Sequence, residues 1–271
     1  MYETILTERR GSIGVVTLNR PQLHNAFNDV LVAEMNTVLD AAEKDDSLHA
    51  LVLTGAGKSF CAGADTHWMR DMTKASQLDN REDSLQLARL MRRLNFLDIP
   101  TIARVNGAAY GGGIGLIACC DIAIGVDDAK FALAEVKLGL VPSVISPYVV
   151  DAIGLRQARR LFVTGEVFGA EHAVRIGLLH EAVAADQLDA TVIDIAKRLK
   201  KTGPFARRAA KRLALRVAGR DERGQTKLDA ENAELIARLR VSPEGQEGLT
   251  AFLDKRAPAW VEDLPATEKE A

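Results

Sequence analysis

Two glycine-rich turns hold the residues of this chain best suited to chemistry. Each follows a strand-like run: Ser59-Phe60-Cys61-Ala62-Gly63-Ala64-Asp65, and Asn106-Gly107-Ala108-Ala109-Tyr110-Gly111-Gly112-Gly113. Small residues let backbone approach a ligand closely. If each turn feeds a helix, unpaired N–H groups at the two helix starts converge on one oxygen and stabilise negative charge developing there. That is the physics of an oxyanion hole. Either turn alone is more often explained by tight strand-to-helix packing, and the occurrence of two shifts the balance towards chemistry. Gly113-Ile114-Gly115-Leu116-Ile117-Ala118 also fits a GxGxxA dinucleotide pattern. It begins inside a glycine triplet and no suitable acidic residue ends a second strand downstream, so it reads as a decoy.

Positioning such turns takes an alternation of strands and helices. Residues 13–19 and 50–54 are apolar, β-branched runs ended by Arg20-Pro21 and by Gly55-Ala56-Gly57, and both read as buried strands. Between them Leu31, Met35, Val38, Leu39 and Ala42 recur at helical spacing, with Asn28 as the N-cap. The pattern continues with Leu87, Leu90, Met91 and Leu94 on a helix, a strand over 101–105, an apolar segment after Gly113 and a strand over 121–125. After about Asp186 the strand signals stop, and 205–218 and 227–239 read as amphipathic helices. The fold class is therefore α/β, with a core over 1–200 and a helical part over 201–271. The stripe Arg207, Arg208, Lys211 and Arg212 reads as a solvated helix face.

Composition narrows the function classes. A chain of 271 residues, 47% hydrophobic and 27% charged, buries a real core. Lysine plus arginine number 35 against 37 acidic residues, so no basic excess marks a nucleic-acid partner. Residues 1–10 lack an apolar signal core and no apolar run reaches bilayer length. The expectation is a cytoplasmic protein without a membrane partner, or a matrix protein if a transit peptide was trimmed. Cys61, Cys119 and Cys120 are odd in number, and none sits at zinc-ligand spacing, which predicts reduced core thiols and no metal.

With these residues in view, the sequence resembles the crotonase (enoyl-CoA hydratase/isomerase) superfamily over nearly its whole length. Four motifs match in order: Asn19-Arg20-Pro21 with Asn25-Ala26, the two glycine turns, and Phe131-Ala132-Leu133-Ala134-Glu135 leading to Leu138-Gly139-Leu140-Val141-Pro142. A closing match covers Phe252, Lys255-Arg256 and Pro258. The resemblance implies a spiral of ββα units with C-terminal helices that build a homotrimer, or a hexamer as a dimer of trimers. It implies that the N–H groups of Ala64 and Gly112 polarise an acyl-CoA thioester carbonyl and that Glu135 moves the proton at the adjacent carbon. His24, Ala26, Ala62, Asp65, Gly111 and Gly115 fall at positions implied to hold coenzyme A, which enters as part of the substrate, and Phe252 and Lys255 at positions implied to contact coenzyme A bound to a neighbouring subunit; no permanently bound cofactor is implied.

The pattern breaks at Gly115, where typical hydratases of the family carry the first of two glutamates. Glu135 alone then serves water addition, another polar side chain replaces the lost group, or the enzyme shifts a double bond instead, which one base can do. Cys119-Cys120-Asp121, Ala134-Glu135-Val136 and Val144-Ile145-Ser146-Pro147 resemble bacterial methylglutaconyl-CoA hydratases of leucine breakdown. The leading expectation is hydration of a short or branched 2-enoyl-CoA. The alternatives are an isomerase or decarboxylase of the same family, or a catalytically silent acyl-CoA or RNA binding protein. Met69, Met72 and the helix over 79–97 are expected to shape the acyl pocket, with Arg81 or Arg89 meeting any substrate carboxylate. Ser143 is expected to cap a helix, and His67 to sit half-buried on one.

Overall fold

Strands of a large sheet alternate along the chain with short strands of a second sheet, and three such pairs each lead into helix. The computed structural model describes residues 2–262, so Met1 and the last nine residues of the expected C-terminal part lie outside the described residues. A hairpin of β1 (Ile5–Arg10) and β2 (Ile13–Leu18) precedes α1 (Asp29–Lys44), whose N-cap Asn28 accepts the Leu31 N–H as expected. The first pair is β3 (Ala50–Gly55) and β4 (Ser59–Cys61), followed by α2 (Thr66–Lys74) and α3 (Gln77–Phe96). The second is β5 (Thr101–Val105) and β6 (Ala108–Tyr110), followed by α4 (Gly112–Cys119). The third is β7 (Ile122–Val126) and β8 (Lys130–Ala132), followed by a 3-10 turn (Glu135–Leu138) and α5 (Ser146–Thr164). Then come β9 (Val167–Gly169), α6 (Ala170–Ile176), β10 (Glu181–Val183), α7 (Leu188–Lys200), α8 (Pro204–Val217), α9 (Glu222–Arg240) and α10 (Pro243–Leu253).

Among the described residues the large sheet runs β1-β2-β3-β5-β7-β10, parallel except for the β1–β2 hairpin, and the small sheet runs β4-β6-β8-β9. Each step along the chain thus adds one strand to both sheets, which is the spiral of ββα units. Strand β3 is buried at every residue, as a continuous apolar run between helices must be. The three cysteines are free and buried. Among the described residues no helix is long and apolar enough to cross a membrane.

The C-terminal helices are tied to this core. Arg92 of α3 pairs with the buried Asp229 of α9, and Arg208, Lys211 and Arg212 of α8 pair with Asp46, Asp121 and Asp98. Arg207 is itself buried and donates to the Leu199 carbonyl at 2.6 Å. Arg207, Arg208 and Lys211 therefore form a docking face and not the solvated one expected, because the acidic partners come from loops far away in sequence, while Arg212 stays exposed as it pairs. Asp121 anchors the joint: its carboxylate accepts the Thr101 N–H at 2.7 Å, the Thr101 hydroxyl at 3.0 Å and the Lys211 ammonium at 2.8 Å.

Removing that acceptor strands three donors, one of them a charge on a side chain only 8% exposed. Asp121→Ala is expected to cost about 2–4 kcal/mol. The shift of the urea midpoint at unchanged slope measures it, and a loss below about 0.5 kcal/mol would mean that the joint is not a stabilising one.

Candidate active site

Parallel pairing of β4, β6 and β8 sets three strand ends side by side. The first glycine turn leaves β4, the second leaves β6, and the chain beyond β8 reaches Glu135. At the first turn Phe27 N–H donates to the Gly63 carbonyl at 2.7 Å and Asp65 N–H donates to the Phe27 carbonyl at 2.8 Å. In a parallel bridge alternate amides face opposite sides, so the Ala64 N–H points away from Phe27 and finds no acceptor among the described residues. Gly112 opens α4, where the first N–H groups have no intrahelical partner, and its N–H also lacks an acceptor among the described residues. The turns touch: a Cβ built on Gly63 would lie 4.0 Å from Gly112 N. A Cβ on Gly112 would lie 2.4 Å from Phe27 Cε2, so only glycine there lets the buried Phe27 brace both turns.

Glu135 starts the 3-10 turn, which Gly139 closes in the left-handed region while Leu140 N–H donates back to the Glu135 carbonyl at 3.0 Å. Its carboxylate lies against the second glycine turn, since a Cβ on Gly111 would sit 2.8 Å from Glu135 Oε1. Oε2 is sealed from solvent with no hydrogen-bond partner among the described residues. Burial pushes this carboxyl up to about 7, countered in part by a backbone hydrogen bond. A group poised there gives and takes protons near neutral pH, and two free amides beside it suit an oxygen that gains charge.

These groups line a cavity of about 480 Å³. Ala62 and Gly111 form part of the same wall; Trp68, Met69, Met72 and Leu87 come from α2 and α3, and Ile236, Arg240, Leu249 and Phe252 from α9 and α10. The cavity thus draws on residues from both sides of position 200. Its charged lining residues are Glu135, Lys137 and Arg240.

Other expected residues lie off its wall. His24 adopts φ 52°, its carbonyl accepts the Ala62 N–H at 2.9 Å and its ring meets Ser59 Oγ at 2.9 Å. The carbonyl of Ala26 accepts from Arg20 Nη1 at 2.6 Å, and Asp65 caps α2 through the His67 N–H at 2.8 Å while pairing with Arg20. Lys255 is exposed on the bend after α10. Gly115 is buried inside α4, where a Cβ would lie 2.3 Å from Ile145 Cγ2 and 2.9 Å from Ile145 Cβ. Ile145 therefore occupies the space that a side chain at 115 would need.

Three lesser expectations are corrected. Ser143 caps no helix, because α5 begins at Ser146; its hydroxyl donates to the Asn232 carbonyl at 3.0 Å while the residue lines the cavity. His67 is exposed and not half-buried. Arg81 pairs with Glu82 and Glu234 and Arg89 is exposed, so neither lines the cavity. The cavity arginine is Arg240, which sequence reasoning passed over; its only signal is a position four residues after the apolar Ile236, on the same helix face.

The sequence profile described as enoyl-CoA hydratase/isomerase matches residues 8–263. The chain is similar to the crotonyl-CoA hydratase of Syntrophomonas wolfei, 34% identical over 96% of this chain and 98% of that protein. It is also similar to the 2,3-dehydroadipyl-CoA hydratase of Escherichia coli, 31% identical over 94% and 97%. The crystal structure of an enoyl-CoA hydratase from Shewanella pealeana superposes with a TM-score of 0.78 at 41% identity, covering 95% of this chain and 96% of that one.

Two outcomes test the packing and the burial. Gly115→Ala is expected to destabilise by about 1–3 kcal/mol through overpacking, and the double variant with Ile145→Ala is expected to lose less than the sum of the two single losses. Additive losses in denaturant titrations would show that the two residues are not in contact. For Glu135 the folded carboxyl sits above its unfolded value of 4.5, so the stability this provides is complete below that value and fades as pH rises through about 7. Against Glu135→Gln, wild-type protein should therefore lose about 3 kcal/mol of relative stability between pH 4.5 and pH 8. A flat difference across that range would place the carboxyl in water.

Proposed function

Because this chain belongs to the enoyl-CoA hydratase/isomerase family, we propose that it is an enzyme adding water to a short or branched 2-enoyl-CoA, with 3-methylglutaconyl-CoA as the acyl ester of first choice. The observation that carries the reading is the meeting of two free amides, Ala64 and Gly112, with one buried carboxylate, Glu135, on a single cavity wall. The thioester oxygen accepts from both amides, which withdraws electrons from the double bond. Water oxygen bonds to carbon 3 while its proton passes to Glu135, and the resulting enolate takes a proton from Glu135 at carbon 2. One carboxylate thus acts first as base and then as acid, and ends as it began.

The filled space at Gly115 favours a second reading. With one carboxylate on the cavity wall, removal of a proton at one carbon and its return at another moves a double bond without water, which is isomerisation. For assembly we propose a homotrimer, or a hexamer of two trimers. Phe205, Leu213 and Val217 stand exposed on α8, and apolar side chains left open on one helix are covered in many oligomers.

Incubation with crotonyl-CoA and with 3-methylglutaconyl-CoA in heavy-oxygen water separates the readings. Hydration is expected to remove enoyl absorbance and add one heavy oxygen to the product, with kcat/KM falling about tenfold per pH unit below about 7 as Glu135 takes up its proton. Glu135→Gln should lower kcat at least about 1,000-fold while coenzyme A binding persists. A shifted double bond without oxygen uptake would replace hydration by isomerisation, and an active Gln variant would remove Glu135 from the mechanism.

A further inference from the structure

Arg240 ends α9 inside the cavity, in apolar company: Met69, Met72, Leu87, Ile236 and Leu249 line the same space. An arginine carries its charge at all accessible pH, so such a site is costly unless each face of the guanidinium is used. Among the described residues only one nitrogen is used. Nη1 donates to Asp83 Oδ2 at 3.1 Å, to Asn80 Oδ1 at 3.2 Å and to Ser84 Oγ at 3.3 Å. Nε and Nη2 make no hydrogen bond among the described residues, and neither is sealed from the cavity and solvent. Asp83, which fixes the group, does not itself line the cavity. Three acceptors on α3 therefore hold the guanidinium by one corner and leave its other donors, in the fork geometry that fits a carboxylate, without an acceptor among the described residues.

We propose that Arg240 selects the acyl group: its free edge receives a carboxylate at the far end of the enoyl chain, so the substrate class is the coenzyme A ester of an unsaturated dicarboxylic acid. This rests on the hydratase reading and adds to it a residue that neither the motifs nor the oxyanion geometry require. Lys137, the other cation lining the cavity, adds to the attraction for an anionic acyl group.

The test compares wild-type enzyme on glutaconyl-CoA and on 5-methylhex-2-enoyl-CoA, which has the same shape without the charge. A site built to hydrogen-bond a group discriminates strongly against the analogue lacking it, so kcat/KM should favour glutaconyl-CoA by about 100-fold. In Arg240→Met that ratio should collapse to about one or below, through KM on the charged substrate, while Arg240→Lys keeps part of it. If Arg240 merely ties α9 to α3, the Met variant would lower both substrates in parallel and leave the ratio where it was, which overturns the proposal. Wild-type enzyme that hydrates both equally also overturns it and leaves the hydratase reading standing. Hydration of neither removes both. The wild-type comparison needs no variant and so does not depend on how any substitution folds.

Discussion

Strands β4, β6 and β8 are three residues each, and their parallel pairing is the constraint on which the rest of the site depends. Short strands bury little and contribute little stability alone, so their alignment is imposed by the fully paired β3, β5 and β7 that precede them. Once the large sheet is in register, each crossing delivers one strand end to the same place: an amide from the first, an amide from the second, and a carboxylate after the third. Phe27 then bridges the first two turns, consuming the hydrogen-bonding groups of Gly63 and Asp65 and leaving the one between them free. The free amides thus follow from backbone alternation and helix geometry, with no polar side chain needed to create them.

The same packing decides how many carboxylates the site has. Helix α4 lies against α5 closely enough that Ile145 fills the volume beside Gly115, and among the described residues Glu135 is the one carboxylate on the cavity wall. An acid whose Oε2 is sealed from solvent and has no partner among the described residues is held away from the ordinary carboxylate range by desolvation. It therefore releases and accepts its proton with small free-energy changes at neutral pH, which suits the role proposed for it.

Much of this was legible in the sequence, and the exceptions share a cause. Strand β5, the N-cap Asn28 and both glycine turns carry signals within a few residues of themselves, so local pattern located them. Glu135 was legible only through the family resemblance, because an acidic residue after a short strand has no distinguishing periodicity. The α8 stripe misled because its partners Asp46, Asp98 and Asp121 belong to three different loops. Arg240 was invisible for a related reason: α9 also carries Arg238, which is exposed, and only the register of α9 on α3 makes one arginine a cavity residue and the other a surface one.

The cavity has a wall of strand ends and a cover of late helices, and this has an evolutionary consequence. The groups proposed to make and break bonds come from residues 62–135, whereas Ile236, Arg240, Leu249 and Phe252 arrive from the final quarter of the chain. On the proposed function, substitutions in that final quarter would alter which acyl chains fit without disturbing the amides or the carboxylate. Drift of the C-terminal helices is thus a route by which one chemical scaffold diversifies into enzymes for different metabolites, each inheriting the reaction and changing only its clientele.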